Sequence, residues 1–294
     1  MSVTIGYIGI GAMGGPMARN LVKAGFDVIV HDLQQNLVDD LVAAGATQAD
    51  SVLDVANRAE IVMVCLNTIE AVFEVAKEAS KGSAIRVYVD QSTTGPTVAK
   101  EIRQIVEGAQ IQMLDAPISG GTNGAAAGTL SVMTSGPRNA FDKVKPAFDA
   151  IGKNVFFLGE NPGNGQMMKV INNYLGNVAK VSTAEGLTMG VKFGLEAKTM
   201  LDVLNVSTGR NQQLEGPISN AIRSGKFEGG GNMNISYKDT KAALDEAKRL
   251  GAPTDTGARL LDIYTDALAN GGDKERSIAI LNHIAAKAGV KLIG

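Results

Sequence analysis

The sequence predicts an α/β domain built on a parallel, doubly wound sheet, followed by an all-helical domain. In the first half, strand-like apolar runs alternate with helix-like stretches, the pattern of a parallel sheet with crossover helices on both faces. Beyond "GENPGNG" (Gly159 to Gly165) the strand signals stop and only helical patterns continue. A chain of 294 residues with 45% hydrophobic content is long for one core and comfortable for two. The Pro162-Gly163 pair marks the change, giving expected domains of 1–162 and 163–294.

Taken in order, "TIGYIGI" (Thr4 to Ile10) is the first strand and "MGGPMARNLVKAG" the helix after it. "DVIVHD" (Asp27 to Asp32) is the second strand, followed by a helix in "NLVDDLVAAG". "EIVMVCL" (Glu60 to Leu66) and "RVYVDQS" (Arg86 to Ser92) follow with a helical stretch between them. "IQMLDAP" (Ile111 to Pro117), "LSVMTS" (Leu130 to Ser135) and "VFFLG" (Val155 to Gly159) are expected to extend the same sheet. Helical patterns then run over Gln166 to Lys192, Leu214 to Ser224, Lys238 to Leu250, Thr256 to Ala269 and Ser277 to Ala288.

Composition narrows the partner. A formal net charge of -2, with both signs mixed along the chain, gives no electrostatic footprint for nucleic acid or an anionic membrane surface. Nothing approaches the roughly 20 apolar residues of a membrane span, and no signal-peptide pattern opens the chain. Cys65 is the single cysteine, so neither a disulfide framework nor a thiolate zinc site is expected; with only two histidines a catalytic zinc also lacks its usual ligands, and no metal is expected. A cytoplasmic protein acting on a small molecule is the expectation.

Gly9, Gly11 and Gly14 in "GYIGIGAMGG" form G-x-G-x-x-G between a predicted strand and a predicted helix, with Ala12 and Met13 completing the loop. In that context the motif is the fingerprint of a Rossmann-type dinucleotide-binding domain. The first glycine allows the tight turn, the second lets a pyrophosphate approach the backbone, and the third lets helix and strand pack closely. Asp32 ends the second strand about 20 residues on, where a carboxylate accepts hydrogen bonds from the adenosine ribose. It repels a 2′-phosphate and no arginine follows it in "HDLQQN", which points to NAD rather than NADP. FAD shares the fingerprint but needs more chain; turn-forming glycines with Asp32 as a helix cap is the bland alternative.

The two histidines, His31 and His283, stand away from any expected nicotinamide site, so lysine, tyrosine or a carboxylate must move the proton. In "GNGQMMKVINNYLGN" Lys169 and Asn173 lie four apart on one face of a predicted helix. The apolar neighbours of Lys169 disfavour its charged form, which suits a general acid/base; a surface lysine on a solvated face is the competing reading. "YKDTK" (Tyr237 to Lys241) matches a Tyr-x-x-x-Lys pair, but it lies far beyond the dinucleotide domain and is read as chance.

With these motifs in this order, nearly the whole chain resembles the β-hydroxyacid dehydrogenase family, which includes 3-hydroxyisobutyrate dehydrogenases and tartronate semialdehyde reductases. The resemblance rests on "GYIGIGAMGGPMARNL", "DAPISGGTNGAAAGTLSVMTSG" (Asp115 to Gly136), "GNGQMMKVINN" and "YKDTKAALDEAKRLGAP". It implies that Ser119, Gly120 and Gly121 hold a substrate carboxylate, that Lys169 is the acid/base and that Asn173 binds substrate. It further implies that Lys238 closes near the nicotinamide, and that the loops bearing Leu66, Asn67 and Thr93 touch cofactor. The backbone N–H groups of "SGG", unshielded by bulky side chains, suit an anion nest. The activity implied is NAD-dependent interconversion of a small 3-hydroxy acid and its semialdehyde by a homodimer or homotetramer joined through the helical half. An imine-reductase-like relative and a NAD-binding regulatory protein without turnover are the alternatives. Arg210, in "STGRNQQLEG", is a candidate grip for a second substrate carboxylate, and pairing with Glu215 is its structural alternative.

Overall fold

The structure, a computed structural model, describes residues 3–227, 231–272 and 275–294. The chain divides into two compact units, Met1–Lys169 and Val170–Gly294.

In the first unit, strands β1 (Thr4–Ile8), β2 (Asp27–His31), β3 (Thr47–Gln48), β4 (Ile61–Val64), β5 (Val87–Asp90) and β6 (Gln112–Asp115) form a six-stranded sheet in the order β3-β2-β1-β4-β5-β6. All five pairings are parallel. Successive side chains of a strand point to opposite faces, and both faces here are apolar. Ile5, Tyr7, Val28, Val30, Met63, Val87, Val89 and Leu114 share one core with helices α1 (Gly14–Lys23), α2 (Gln35–Val42) and α7 (Arg138–Ile151). Ile8, Ile29, Val62, Val64, Tyr88 and Met113 share the other with α3 (Val52–Arg58), α4 (Ile69–Ala79) and α5 (Pro96–Gly108). Burial on both faces explains why these strands read as continuous apolar runs.

The expectation that "LSVMTS" and "VFFLG" extend this sheet is not met. They are β8 (Leu130–Thr134) and β9 (Gly152–Phe157) of a separate three-stranded sheet, completed by β7 (Ile118–Ser119) in the order β7-β8-β9. β7 and β8 are antiparallel and β8 and β9 parallel. The break follows from the chain after β6: Pro117 has no N–H for a ladder, and Gly120 and Gly121, both at positive φ, turn the backbone into α6 (Gly121–Ala127). A lone antiparallel bridge, Asp115 to Ser135, joins the end of β6 to the residue after β8. The two-residue strands β3 and β7 are too short to leave a periodic signal.

α8 (Asn164–Phe193) is a 30-residue helix whose residues up to Lys169 belong to the first unit and whose remainder belongs to the second. The second unit adds α9 (Ala197–Asn205), α10 (Gln212–Glu215), α11 (Pro217–Ser224), α12 (Met233–Leu250), α13 (Asp255–Ala269) and α14 (Ile280–Ala286), the last preceded by a 3-10 turn at Ser277–Ala279. The stretch predicted as one helix from Leu214 is split at Gly216-Pro217, because proline disfavours helical backbone in the residue before it. α9 carries no sequence expectation of its own. The unit's core is formed by Leu187, Leu201, Leu214, Ile218, Met233, Leu260, Tyr264 and Leu281, among others. Among the described residues no helix is long and apolar enough to cross a membrane, and no cluster of His, Cys, Asp or Glu could hold a metal ion.

Candidate active site

The three fingerprint glycines meet three different demands. Gly9 has φ +81°, and a Cβ there would stand 2.5 Å from the Cys65 carbonyl oxygen and 2.6 Å from Leu66 Cδ2. A Cβ on Gly14 would stand 2.0 Å from the Gly9 carbonyl oxygen, so only glycine lets α1 start this close to β1. A Cβ on Gly11 meets nothing within 4 Å: open space lies over that residue. Met13, at the N-cap of α1, makes no side-chain capping bond; of the next backbone positions, Gly15 N–H donates to the Gly11 carbonyl at 2.9 Å and Pro16 has no N–H, so the helix start offers Gly14 N–H to another acceptor. Open space over the loop and an uncapped helix start fit a pyrophosphate.

Asp32 organises this loop as well as terminating β2. Its Oδ2 accepts from Ile10 N–H at 2.8 Å and its Oδ1 from Gln34 N–H at 2.9 Å. A carboxylate has about four acceptor sites, so ribose hydroxyls still have lone pairs to use. The following residue, Leu33, is 97% exposed and offers no cation.

Beyond the strands' carboxyl ends lies a buried polar network. Asp90 and Asp115 occupy paired positions on β5 and β6. Asp115 Oδ1 accepts from Ser135 Oγ at 2.6 Å and Gly163 N–H at 3.0 Å, and its Oδ2 accepts from Gln166 N–H at 3.0 Å. Ser135 Oγ in turn accepts from Gly165 N–H at 3.1 Å. One carboxylate thereby anchors the first turn of α8. Gln166 reaches back to the loop after β5: its Oε1 accepts from Thr94 and Gly95 N–H, each at 3.1 Å, and its Nε2 donates to the Ser92 carbonyl at 2.7 Å. Ser92 Oγ accepts from Leu66 N–H at 2.9 Å, tying in the loop after β4. Loops bearing Leu66 and Thr93 are thus bonded, through Ser92 and Gln166, to the helical turn that ends at Lys169.

Burial raises both carboxyls above the usual range. Asp90, fully buried, is pushed up to about 7 by desolvation, opposed in part by Ser92 and increased by the neighbouring Asp115. Asp115 is raised by the same cause, with Ser135, Gly163 and Gln166 pulling it back. Cys65 is raised to about 12 by burial and by Asp90, which makes it an inert thiol.

Ser119 sits on β7 opposite Ser131, and Gly120 and Gly121 follow at φ +138° and +64°. A Cβ on Gly120 would stand 2.9 Å from Leu130 Cδ2. Both glycines are exposed and carry no side chain to cover the backbone of this loop.

In the second unit, α8 continues the face of Lys169 with Asn173, Asn177 and Lys180 at intervals of four, four and three. Asn173 Nδ2 donates to Asp239 Oδ2 at 2.8 Å, and Lys238 Nζ stands 3.9 Å from Asp239 Oδ1. Asn177 Nδ2 donates to the Ser236 carbonyl at 3.1 Å and to Thr240 Oγ1 at 3.2 Å. Lys180 is buried, donates to Ser277 Oγ at 3.0 Å, and is lowered to about 8 by desolvation, with Asp239 opposing. Arg210 Nε lies 3.1 Å from Glu215 Oε1, and both side chains are more than half exposed.

The profile of the NAD binding domain of 6-phosphogluconate dehydrogenase matches residues 4–159. A second profile, the NAD-binding domain of NADP-dependent 3-hydroxyisobutyrate dehydrogenase, matches residues 163–284. A NAD-dependent L-serine dehydrogenase of Pseudomonas aeruginosa is 37% identical over 293 residues, 95% of this chain and 97% of that one. The chain belongs to the β-hydroxyacid dehydrogenase family. Another family member, a 2-(hydroxymethyl)glutarate dehydrogenase of Eubacterium barkeri, is 34% identical over 298 residues, 100% of this chain and 98% of that one. The solved 3-hydroxyisobutyrate dehydrogenase of Mycobacterium tuberculosis with L-serine superposes with a TM-score of 0.87 at 29% identity, covering 97% of this chain and 99% of that one.

For a β-hydroxyacid dehydrogenase, the motif residues stand in two groups. The first unit holds Gly9, Gly11, Ala12, Met13, Gly14, Asp32, Leu66, Asn67, Thr93, the Ser119 to Gly121 loop and Lys169. The second holds Asn173, Arg210 and Lys238. Sequence reasoning missed Asp90, Ser92, Asp115, Ser135, Gln166 and Asp239. Of these, only Gln166 had a legible signal, three residues before Lys169 on the same helix face.

Proposed function

We propose that the protein interconverts a small 3-hydroxy acid and its semialdehyde with NAD(H), Lys169 being the general acid/base. As a β-hydroxyacid dehydrogenase it is an oxidoreductase of hydroxy acids; substrate class, direction and residue roles are the proposal. The observation that carries it is the anchoring of Lys169. The lysine closes a helical turn bonded to the loop after β5, through Ser92 to the loop after β4, and to Asp115 at the end of β6, where ligands of open α/β sheets bind.

Gly9, Gly11, Ala12, Met13 and Gly14 hold the pyrophosphate, Asp32 the ribose, and Leu66, Asn67, Thr93 and Lys238 the nicotinamide half. Bound NAD supplies the hydride acceptor. Ser119, Gly120 and Gly121 receive the substrate carboxylate on their loop, and Asn173, oriented by Asp239, binds the substrate's polar end. In oxidation the neutral Lys169 amine takes the hydroxyl proton as the carbinol carbon gives up hydride. In reduction its ammonium returns the proton. Fixed orientation of this kind contributes about 7–11 kcal/mol of barrier reduction at best.

Preference for NAD over NADP follows from the Asp32 carboxylate beside an uncharged, exposed Leu33. Lysine at position 169 argues against an imine-reductase-like chemistry, and a binder without turnover has no need of an anchored lysine. Arg210 is the candidate grip for a second carboxylate. Its exposed pair with Glu215 is worth about 0–1 kcal/mol, little enough for a dicarboxylate to displace. A homodimer or homotetramer through the helical half is supported by Met189, Phe193, Val203 and Val206, exposed by 71%, 86%, 57% and 86%. The lone cysteine fits work in the cytoplasm.

The test is incubation of the pure protein with NAD and mono- and dicarboxylic 3-hydroxy acids, and with NADH and semialdehydes, followed by nicotinamide absorbance. Turnover is expected on at least one member. Silence across a broad panel in both directions favours the binder. Size-exclusion with light scattering reads the subunit number.

A further inference from the structure

We propose that Gln166 is a positioning residue: its side-chain amide sets the spacing between the Ser92–Gly95 loop and the Lys169 amine, a role that rests on the acid/base reading of Lys169. Gln166 is completely buried, and its amide makes three hydrogen bonds to one loop, from Thr94 and Gly95 and to Ser92. None of the three is needed to begin the helix. The α8 start is already met by Asp115, which accepts from Gly163 and Gln166 N–H, and by Ser135, which accepts from Gly165 N–H. A buried amide costs free energy unless it is bonded, and an apolar side chain would fill the space without that cost. What the amide adds is a fixed distance between two elements.

Both ends of that distance matter to the reaction. Residue 169 lies one turn beyond residue 166 on the same helix face, so a shift or tilt of the first turn moves the lysine with it. The loop carries Thr93 and is bonded on its other side, through Ser92 Oγ, to Leu66 N–H. Both residues are assigned to the cofactor. Loosening the amide therefore disturbs cofactor grip and proton transfer together, a signature that loss of helix stability alone lacks.

The experiment combines Gln166→Met, which keeps length and apolar volume but removes every amide bond, with Lys169→Ala in a double-mutant cycle. Readouts are kcat, the NAD dissociation constant by titration calorimetry without substrate, and the thermal midpoint. Gln166→Met is expected to lower kcat by about 10–100-fold, the scale of an ångström-sized misplacement, and to weaken NAD several-fold. In the Lys169→Ala background the same change is expected to cost less than about 3-fold, because residues that act as a unit lose function non-additively. Gln166→Asn, with the same groups on a shorter arm, is expected to fall between wild type and Gln166→Met, and takes its place if Gln166→Met fails to fold. Wild-type kcat and NAD affinity in a folded Gln166 variant overturn the proposal. So does an equal fold-loss in both backgrounds, which marks a purely structural residue. If Lys169→Ala alone keeps wild-type turnover, the acid/base reading fails and the lysine half of this proposal falls with it; the Gln166 single variant, read against wild type, still decides the loop half.

Discussion

Asp90→Asn isolates a charge that the fold disfavours. The side chain is fully buried; its Oδ1 accepts from Ser92 N–H at 2.9 Å, among the described residues no donor meets Oδ2 in hydrogen-bond geometry, and Asp115 stands opposite on β6. Desolvation moves the carboxyl from 3.8 to about 7. The native state therefore holds this proton more tightly than the unfolded chain. The group's contribution is most favourable below pH 4, declines as pH rises between about 4 and 7, and is constant above that window. At about 1.36 kcal/mol per unit the whole decline is about 4 kcal/mol, of which about 2–3 kcal/mol falls between pH 5 and pH 8. Asparagine keeps the shape and the acceptor for Ser92 N–H but does not ionise. Urea unfolding of both proteins at pH 5 and pH 8 is expected to show the variant gaining about 2–3 kcal/mol on wild type across that interval, with unchanged m-values. Identical pH dependence in the two proteins, or a variant that loses ground at pH 8, would refute a disfavoured buried charge at this position.

The other expectations concern the ligands. Replacing Asp32 by serine together with Leu33 by arginine should weaken NAD and improve NADP by about 1.5–3 kcal/mol per charged hydrogen bond, read from the ratio of kcat/KM for the two cofactors; a wild type that already prefers NADP contradicts the role given to Asp32. Lys169→Ala should cut turnover by about 10²–10⁴-fold and leave NAD affinity near wild type, with circular dichroism as the folding control. Arg210→Ala should cost a dicarboxylic substrate about 1.5–3 kcal/mol in kcat/KM and leave a monocarboxylic one nearly unchanged; equal losses on both assign Arg210 to its pair with Glu215.

What could be read in the sequence, and what could not, divides by the distance over which each constraint acts. The longer parallel strands were legible because burial on both faces makes each one a continuous apolar run, whereas β3 and β7 were not, since two residues contain no period. Strength of signal did not settle pairing either: "LSVMTS" reads as a strand in isolation, and only Pro117 and the two positive-φ glycines before it show that the chain has left the first sheet. The fingerprint was legible because its constraints are local. The Gly9 carbonyl excludes a side chain at Gly14 within one loop, and Asp32 fixes that loop from the next strand.

The parts that place Lys169 act over longer separations. Asp115 meets Gly163 across 48 positions and Ser92 meets Gln166 across 74, and no spacing rule within a helix or strand joins residues so far apart. Aspartate after a short apolar run is as common at a helix cap as in a buried network, so residue type could not have distinguished the two. The lysine itself was visible because Lys169 and Asn173 stand at helical spacing. That pairing, however, says only that the two share a face. A lysine on such a face is ordinarily solvated, and what distinguishes this one is the turn before it, pinned by Asp115, Ser135 and the Gln166 amide. Changing Gln166 separates the two possibilities physically, because a merely solvated lysine has no reason to respond when a buried amide one turn away is removed.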